Sequence, residues 1–395
     1  MKIAVSGVGV VSCLGIGVEK NIDALSHGRS GIVKPLRYLS TRHDLPCGEV
    51  PYSNAELASI LGLDSKSHLS RTAMLGMLAA KEALDSAAVS AGLRVGLVSA
   101  TSVGGMDLTE NFFRSFMKDE ASGRLRDVRM HDCHASTVAI AEYCGISGYR
   151  TTISTACSSA ANAIMLGARL IRHGVLDCVV VGGTDALSVF TINGFKSLMI
   201  LDEDPCRPFD ATRTGLNLGE GAGYLVLQSE ETLSGEPYCY LSGWANSNDA
   251  FHQTASSPEG EGDYLAMKGV LEMGGLTPDE VSYVNAHGTG TLNNDSSEGS
   301  AMKRLFADKM PLFSSTKPFT GHTLAAAGGI EAVYSALAIR NRVIWPGLNF
   351  HEPSPDLELV PQTEFLEDAD VDAVLSNSFG FGGNCSSLLF TGCRK

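Results

Sequence analysis

A cysteine and two histidines in this 395-residue chain could together perform acyl chemistry if the fold brings them to one place. Cys157 lies in the run Ile153-Ser154-Thr155-Ala156-Cys157-Ser158-Ser159-Ala160, where a β-favouring stretch gives way to small residues that open a helix. A thiol at a helix N-terminus meets unpaired backbone N–H groups and the positive end of the dipole, so this placement predicts a thiolate-favouring position. His287, in Asn285-Ala286-His287-Gly288-Thr289-Gly290-Thr291, and His322, in Lys317-Pro318-Phe319-Thr320-Gly321-His322, sit beside glycine turns. A nucleophilic sulfur with two imidazoles suits covalent acyl transfer, because ring N–H groups can bind the charge that develops on oxygen. Taken singly, a buried cysteine is usually inert and a turn histidine structural. The reading therefore depends on the elements that carry them.

Those elements repeat. Arg94–Gly105 reads as a buried strand running into a glycine loop, and Val281–Thr291 has the same form. Thr155-Ala156-Cys157 opens a small-residue helix, as Thr320-Gly321-His322 does; apolar strands closing on glycines follow at 177–183 and 372–383. Three matching stations in one order predict an internal duplication, with a seam in the polar stretch Gln228–Pro237 and halves spanning 1–235 and 236–395. Continuous Val/Ile/Leu runs alternating with helices predict strands covered on both faces, hence an α/β fold. Residues from about 106 to 150 have no counterpart of similar length, which marks a cap or oligomer-contact insertion.

Bulk properties narrow the function further. Hydrophobic residues make up 44% and charged residues 19%, with 43 glycines, as in a densely packed enzyme. A formal charge of −14 gives no support to a nucleic-acid or anionic-membrane partner. The ten cysteines contain no CxxC pair, which argues against zinc and against a disulfide framework. The apolar start is broken by Gly7 and Gly9 and reads as a first strand, not a signal peptide. No run reaches the ~18 apolar residues of a membrane span, and a cytoplasmic location is expected.

Four motifs carry a resemblance to a known family. Thr155–Ser159, Asn285–Thr291, Lys317–His322 and Asn377-Ser378-Phe379-Gly380-Phe381-Gly382-Gly383 resemble the signatures of the elongating β-ketoacyl-acyl carrier protein synthases (types I and II), over essentially the whole chain. The resemblance implies a thiolase-like, duplicated five-layer α-β-α-β-α fold with two mixed sheets. It implies acyl transfer to Cys157, then decarboxylative Claisen condensation with a malonyl thioester. His287 and His322 would bind the enolate oxygen, and the N–H groups of Cys157 and Phe381 would form the oxyanion hole, with Phe381 and Phe379 in the gate. Lys317 would pair with Glu298, near Asp295, and Thr289 and Thr291 would hold the pantetheine amides. Val103, Met106, Phe195 and Met199 would line the acyl tunnel. Substrates would ride on the phosphopantetheine of an acyl carrier protein, with no permanently bound cofactor or metal. The family further implies a homodimer or a heterodimer with a related subunit.

Two segments depart from the family pattern. The last motif usually continues Gly-Gly-Thr-Asn but here reads Gly382-Gly383-Asn384-Cys385, and Cys385 raises the alternative of a thiolase-like, non-decarboxylating acyltransferase with a second active thiol. Thiolases lack the Asn285–Thr291 and Lys317–His322 signatures present here, so Cys385 is expected to be a packing or pocket residue. The segment Leu198–Pro205 is apolar and then acidic where relatives commonly carry an arginine. Lys66, Arg71, Arg124, Arg126 and Arg129 are therefore the expected carrier-docking cations. A second alternative, the partner subunit of a two-component ketosynthase, is disfavoured by the intact cysteine and histidines.

Overall fold

The computed structural model describes residues 2–64 and 67–393. Its strands are β1 (Ile3–Ser12), β2 (Gly15–Ile16), β3 (Val95–Ala100), β4 (Arg150–Ile153), β5 (Cys178–Asp185), β6 (Gly221–Ser229), β7 (Cys239–Asn248), β8 (Tyr283–Asn285), β9 (Leu312–Ser314), β10 (Ala373–Gly380) and β11 (Asn384–Thr391). The helices are α1 (Val18–Ser26), α2 (Asn54–Ile60), α3 (Arg71–Ser86), α4 (Met106–Phe116), α5 (Cys133–Tyr143), α6 (Ser159–Arg172), α7 (Val189–Ser197), α8 (Glu261–Gly274), α9 (Leu292–Phe306), α10 (Lys317–Thr320) and α11 (Ala327–Asn341).

The strand order is β4-β3-β5-β6-β1-β7-β11-β10-β8-β9. Leaving aside the two-residue β2, which pairs with β1 off this path, and counting each half from its own first strand, both halves run third, second, fourth, fifth, first. The senses match as well: β3 is parallel to β4 and β5, and β6 is antiparallel to β5 and β1. In the second half β8 is parallel to β9 and β10, and β11 is antiparallel to β10 and β7. Instead of standing apart as two mixed sheets, the arrays join edge to edge where Ile3–Val5 pair with Cys239–Leu241.

Alternation along the strands builds the layers. Val179 and Val181 face the central helices α6 and α11, with Ile164, Ile330 and Val333. Cys178 and Val180 face outward onto α3 and α5 with Leu75 and Ile140. In the second half Val374 points inward, and Leu375 meets Met267 of α8 and Met302 of α9 outside. Apolar side chains on both strand faces are the signature of a sheet covered on both sides. The result is the expected α/β five-layer stack. Gly7 and Gly9 let α3 lie directly on β1, since a Cβ at either would come 2.1 Å from a helix carbonyl oxygen. Among the described residues, no helix is long and apolar enough to cross a membrane.

Candidate active site

The nucleophile sits on a bent connection. From β4 the chain enters a turn in which Ala156 adopts φ 53, and Cys157 then leads through Ser158 into α6. A left-handed alanine costs on the order of 1 kcal/mol or more, so neighbouring groups must hold it. Ser159 does so: its Oγ accepts from the Thr155 N–H at 2.8 Å and donates to the Ala156 carbonyl at 2.5 Å. Cys157 is thereby presented between the ends of β10 and the His287 loop.

His287 follows β8, and its loop is tied from behind. The Glu298 carboxylate accepts the N–H groups of His287 (2.9 Å) and Gly288 (2.8 Å) and the Asn377 amide (3.1 Å). Asp295 accepts from Thr289 N–H at 3.0 Å and from Phe209 N–H at 2.8 Å. Their position one helical turn apart on α9 puts both carboxylates under the same loop. His322 is fixed by main-chain bonds, its N–H to Asn217 O at 2.7 Å and its carbonyl from Gly219 N–H at 2.9 Å. The imidazoles meet edge to face with centroids 5.3 Å apart, and the Cys157 sulfur and one nitrogen of each ring lie within 4.8 Å of one another.

Hydrogen bonding fixes which ring nitrogens carry protons. The Nδ1 of His322 accepts the Leu324 N–H at 3.1 Å, and the Nδ1 of His287 faces the Lys317 Nζ at 3.2 Å. Burial and the Lys317 charge hold both imidazoles well below the ordinary histidine pKa, so they are neutral near pH 7. A neutral ring with Nδ1 accepting carries its proton on Nε2. The pair is therefore set up as two donors. The same arrangement disfavours a metal ion, which would need both Nε2 lone pairs free next to a lysine.

Lys317 overturns one expectation. Its Nζ pairs with Glu331 of α11 and donates to the His287 carbonyl at 2.6 Å, so Glu331 takes the place expected for Glu298. Glu298 is already saturated by the His287 loop. Glu331 is the single acid in the apolar helix α11, a charge out of place that could have flagged it.

Cys157 overturns another. Burial raises its pKa to about 11, outweighing the N–H groups of Phe381 and Cys157 and the Lys317 charge, all of which pull it down. The helix terminus thus lessens the penalty without producing a resting thiolate. Both N–H groups lie near enough to the sulfur to lower its pKa, which places two main-chain donors beside the nucleophile. Gly380 makes room for it: a Cβ there would come 3.2 Å from the Cys157 nitrogen.

A cavity of about 250 Å³ opens onto Cys157, His287 and His322. Thr289, Thr291, Asn293 and Ser256 give it polar lining, and Phe195, Met199, Ile200 and Phe379 apolar lining. Thr289 and Thr291 hydroxyls lie 2.9 Å apart. Phe381 stacks on Phe195 at 5.9 Å, while Phe379 is buried with its ring 6.1 Å from His287. Of the four expected tunnel residues, only Phe195 and Met199 reach the cavity; Val103 packs behind Phe195 in an apolar cluster, and Met106 begins α4 away from the lining.

Arg71 cannot dock a partner. It is buried and binds Glu220 through Nε and Nη2, with further bonds to the Val50 and Tyr52 carbonyls. Arg124, Arg126 and Arg129 are exposed, and Lys66 lies outside the described residues. Cys385 is buried against α8, its thiol pKa raised by burial and by Asp263, and it does not line the cavity. Asp185 escaped the sequence reading, and Asn384 was visible there only as a departure from the family motif; each secures a loop of the site through several hydrogen bonds.

Known proteins share this layout. The β-ketoacyl synthase N-terminal domain matches residues 1–232 and the C-terminal domain residues 238–351. A 3-oxoacyl-(acyl-carrier-protein) synthase 2 of Staphylococcus aureus is 32% identical over 410 residues, covering 99% of this chain and 98% of that protein. The ishigamide ketosynthase/chain length factor superposes with a TM-score of 0.93 at 29% identity, over 100% of this chain and 99% of that one. The ketosynthase ApeO in complex with its chain length factor ApeC, from Xenorhabdus doucetiae, gives 0.86 at 31% identity, covering 99% and 98%. With a matching fold and family domains along most of its length, the chain belongs to the β-ketoacyl synthase family.

Proposed function

We propose that Cys157 accepts an acyl chain from a carrier protein and passes it to a malonyl-derived enolate, extending a fatty-acyl, polyene or polyketide chain by two carbons. The observation that carries this reading is the pair of Nε2–H donors beside a buried thiol. In the first half-reaction the Cys157 sulfur bonds to the carbonyl carbon of an acyl thioester. The carrier's C–S bond breaks, and the thiol proton leaves with the released pantetheine thiol. The N–H groups of Cys157 and Phe381 stabilise the tetrahedral oxyanion. In the second, a malonyl thioester loses carbon dioxide. Its enolate oxygen takes hydrogen bonds from His287 and His322, and its carbon attacks the acyl-cysteine; the C–S bond to Cys157 breaks, leaving a 3-ketoacyl thioester and a thiolate that takes a proton from solvent to restore the thiol. Buried donors aimed at developing charge act most strongly in a site closed to water.

In this reading residues 1–235 deliver the nucleophile, and residues 236–395 deliver both histidines, Lys317 and the Phe381 loop. The polar side of the cavity suits the amides of a phosphopantetheine arm, and the apolar side an acyl chain. A related structure is described as a type II polyketide acyl-carrier protein in complex with its ketosynthase bound to the hexaketide. That precedent, with the ketosynthase–chain length factor pairs, supports a carrier-protein donor and a second thiolase-fold subunit for this chain. The intact Cys157 fits the catalytic member of such a pair. Supplying acyl- and malonyl-carrier proteins together should yield 3-ketoacyl product with one carbon dioxide per condensation. Condensation of two acyl thioesters without carbon dioxide release would instead establish the thiolase-like reaction.

A further inference from the structure

We propose that Asn384, where this chain departs from its family's usual motif, is a positioning residue that keeps the Phe381 amide aimed at Cys157; the role rests on the acyl-transfer reading above. Its Oδ1 is met by three groups: Ser158 Oγ at 2.6 Å, Asn162 Nδ2 at 2.8 Å and Asn246 Nδ2 at 3.0 Å. The first two belong to the start of α6, immediately after Cys157. Asn162 also reaches the Thr155 hydroxyl at 2.9 Å, and Ser158 Oγ the Thr155 carbonyl at 2.8 Å, so the bonded set spans the turn that presents the thiol.

The other end of this clasp is the Phe381 loop. Gly380 pairs with Asn384 across the β10–β11 ladder, so Phe381–Gly383 form a short loop closed at its base by Asn384. Gly382 (φ 82) and Gly383 (φ 75) lie in the left-handed region, and glycine leaves such a loop easily deformed. An oxyanion hole works only if both donors stay aimed at one point through the reaction. One half of this hole sits on the turn before α6 and the other on the glycine loop. The Asn384 carboxamide ties the two supports together.

The clasp predicts a selective defect. Acylation of Cys157 builds a tetrahedral oxyanion, whereas alkylation by iodoacetamide displaces iodide at a saturated carbon and needs no such hole. Asn384→Leu, similar in shape but without an acceptor, should slow acylation by an acyl-pantetheine thioester at least ~10-fold. Alkylation should fall far less, staying within about threefold of the unmodified protein, because it needs no oxyanion donor and feels the Phe381 N–H only through its pull on the thiol pKa. Asn384→Asp, which keeps the acceptor, should restore acylation to within about threefold. Asn162→Ala removes a donor from the opposite side and should reproduce the selective loss even if the leucine variant does not fold. Equal slowing of acylation and alkylation, or unchanged acylation in both Asn384→Leu and Asn162→Ala, would overturn the proposal. Failure of the unmodified protein to acylate Cys157 would instead remove the acyl-transfer reading, and this role with it.

Discussion

The two halves of the molecule build the same helix entrance and use it differently. Three residues before α6 stands Ala156 with φ 53, and three residues before α11 stands Leu324 with φ 54. Cys157 and Ala325 are therefore equivalent. Asp185 and Gly380 are equivalent too, each the eighth residue of its strand and each paired with the first residue of the next one. In the first pair of elements the Asp185 carboxylate accepts the Ala325 N–H at 2.9 Å, together with the amides of Ser102 and Val103. At the other entrance Gly380 has no side chain, and both Gly380 and Cys157 line the cavity. One helix entrance is filled by the protein's own carboxylate, and the other is the one to which the proposed reaction assigns a substrate oxyanion. The difference of one side chain at a strand end separates a structural junction from a reaction site.

That contrast can be broken at several points. Removing an imidazole strikes the working entrance hardest: His287→Ala or His322→Ala should lower condensation by ~10²–10⁴-fold while Cys157 still takes an acyl chain. Single-turnover assays of the two half-reactions separate these effects, and equal loss in both would oppose the assigned roles. Making the strand ends alike tests the plugged entrance. Asp185→Gly should cost about 3 kcal/mol of stability by leaving several buried N–H groups unpaired, read by urea denaturation. An unchanged midpoint would remove Asp185 from the account.

The thiol should follow its raised pKa. Below about 11 the thiolate fraction of Cys157 falls tenfold for each pH unit, so its alkylation should accelerate steadily with pH from 7 upward. Lys317→Met removes a charge that lowers this pKa, so alkylation at pH 8 should drop by roughly tenfold and the inflection move up. An inflection near 7 in the unmodified protein would contradict the dominance of burial. The smallest effect belongs outside the site. Reversing Arg124 and Arg126 should slow acylation from carrier protein a few-fold, on the scale of exposed charges, and leave acyl-pantetheine unaffected. Equal effects on both donors would exclude docking there.

Motif spacing brought out Cys157, His287 and His322 because each sits at an element end marked by glycine or small residues, and the family resemblance added Lys317. The repeated stations also announced the duplication and the α/β layers. Partnerships were harder to read. Glu298 and Glu331 both lie in helices near Lys317, and only packing decides that α11 faces the lysine while α9 underpins the His287 loop. Arg71 looks like any surface cation at a helix start, yet Glu220, 149 residues away in sequence, draws it inside. The thiol pKa was hidden for a similar reason: a helix terminus is visible in sequence, but the depth at which it is buried is not. Val103 and Met106 are apolar residues of suitable position whose distance from the cavity depends on how α4 and the apolar cluster around Phe195 pack.

The central claim is that Cys157 carries the acyl chain before condensation, and peptide mass spectrometry after incubation with acyl-carrier protein tests it most directly. The account predicts a single acyl adduct on the peptide containing Cys157, discharged as 3-ketoacyl product when malonyl-carrier protein is added. An adduct on Cys385 or any other residue, or product formation by Cys157→Ala at the unmodified rate, would contradict it.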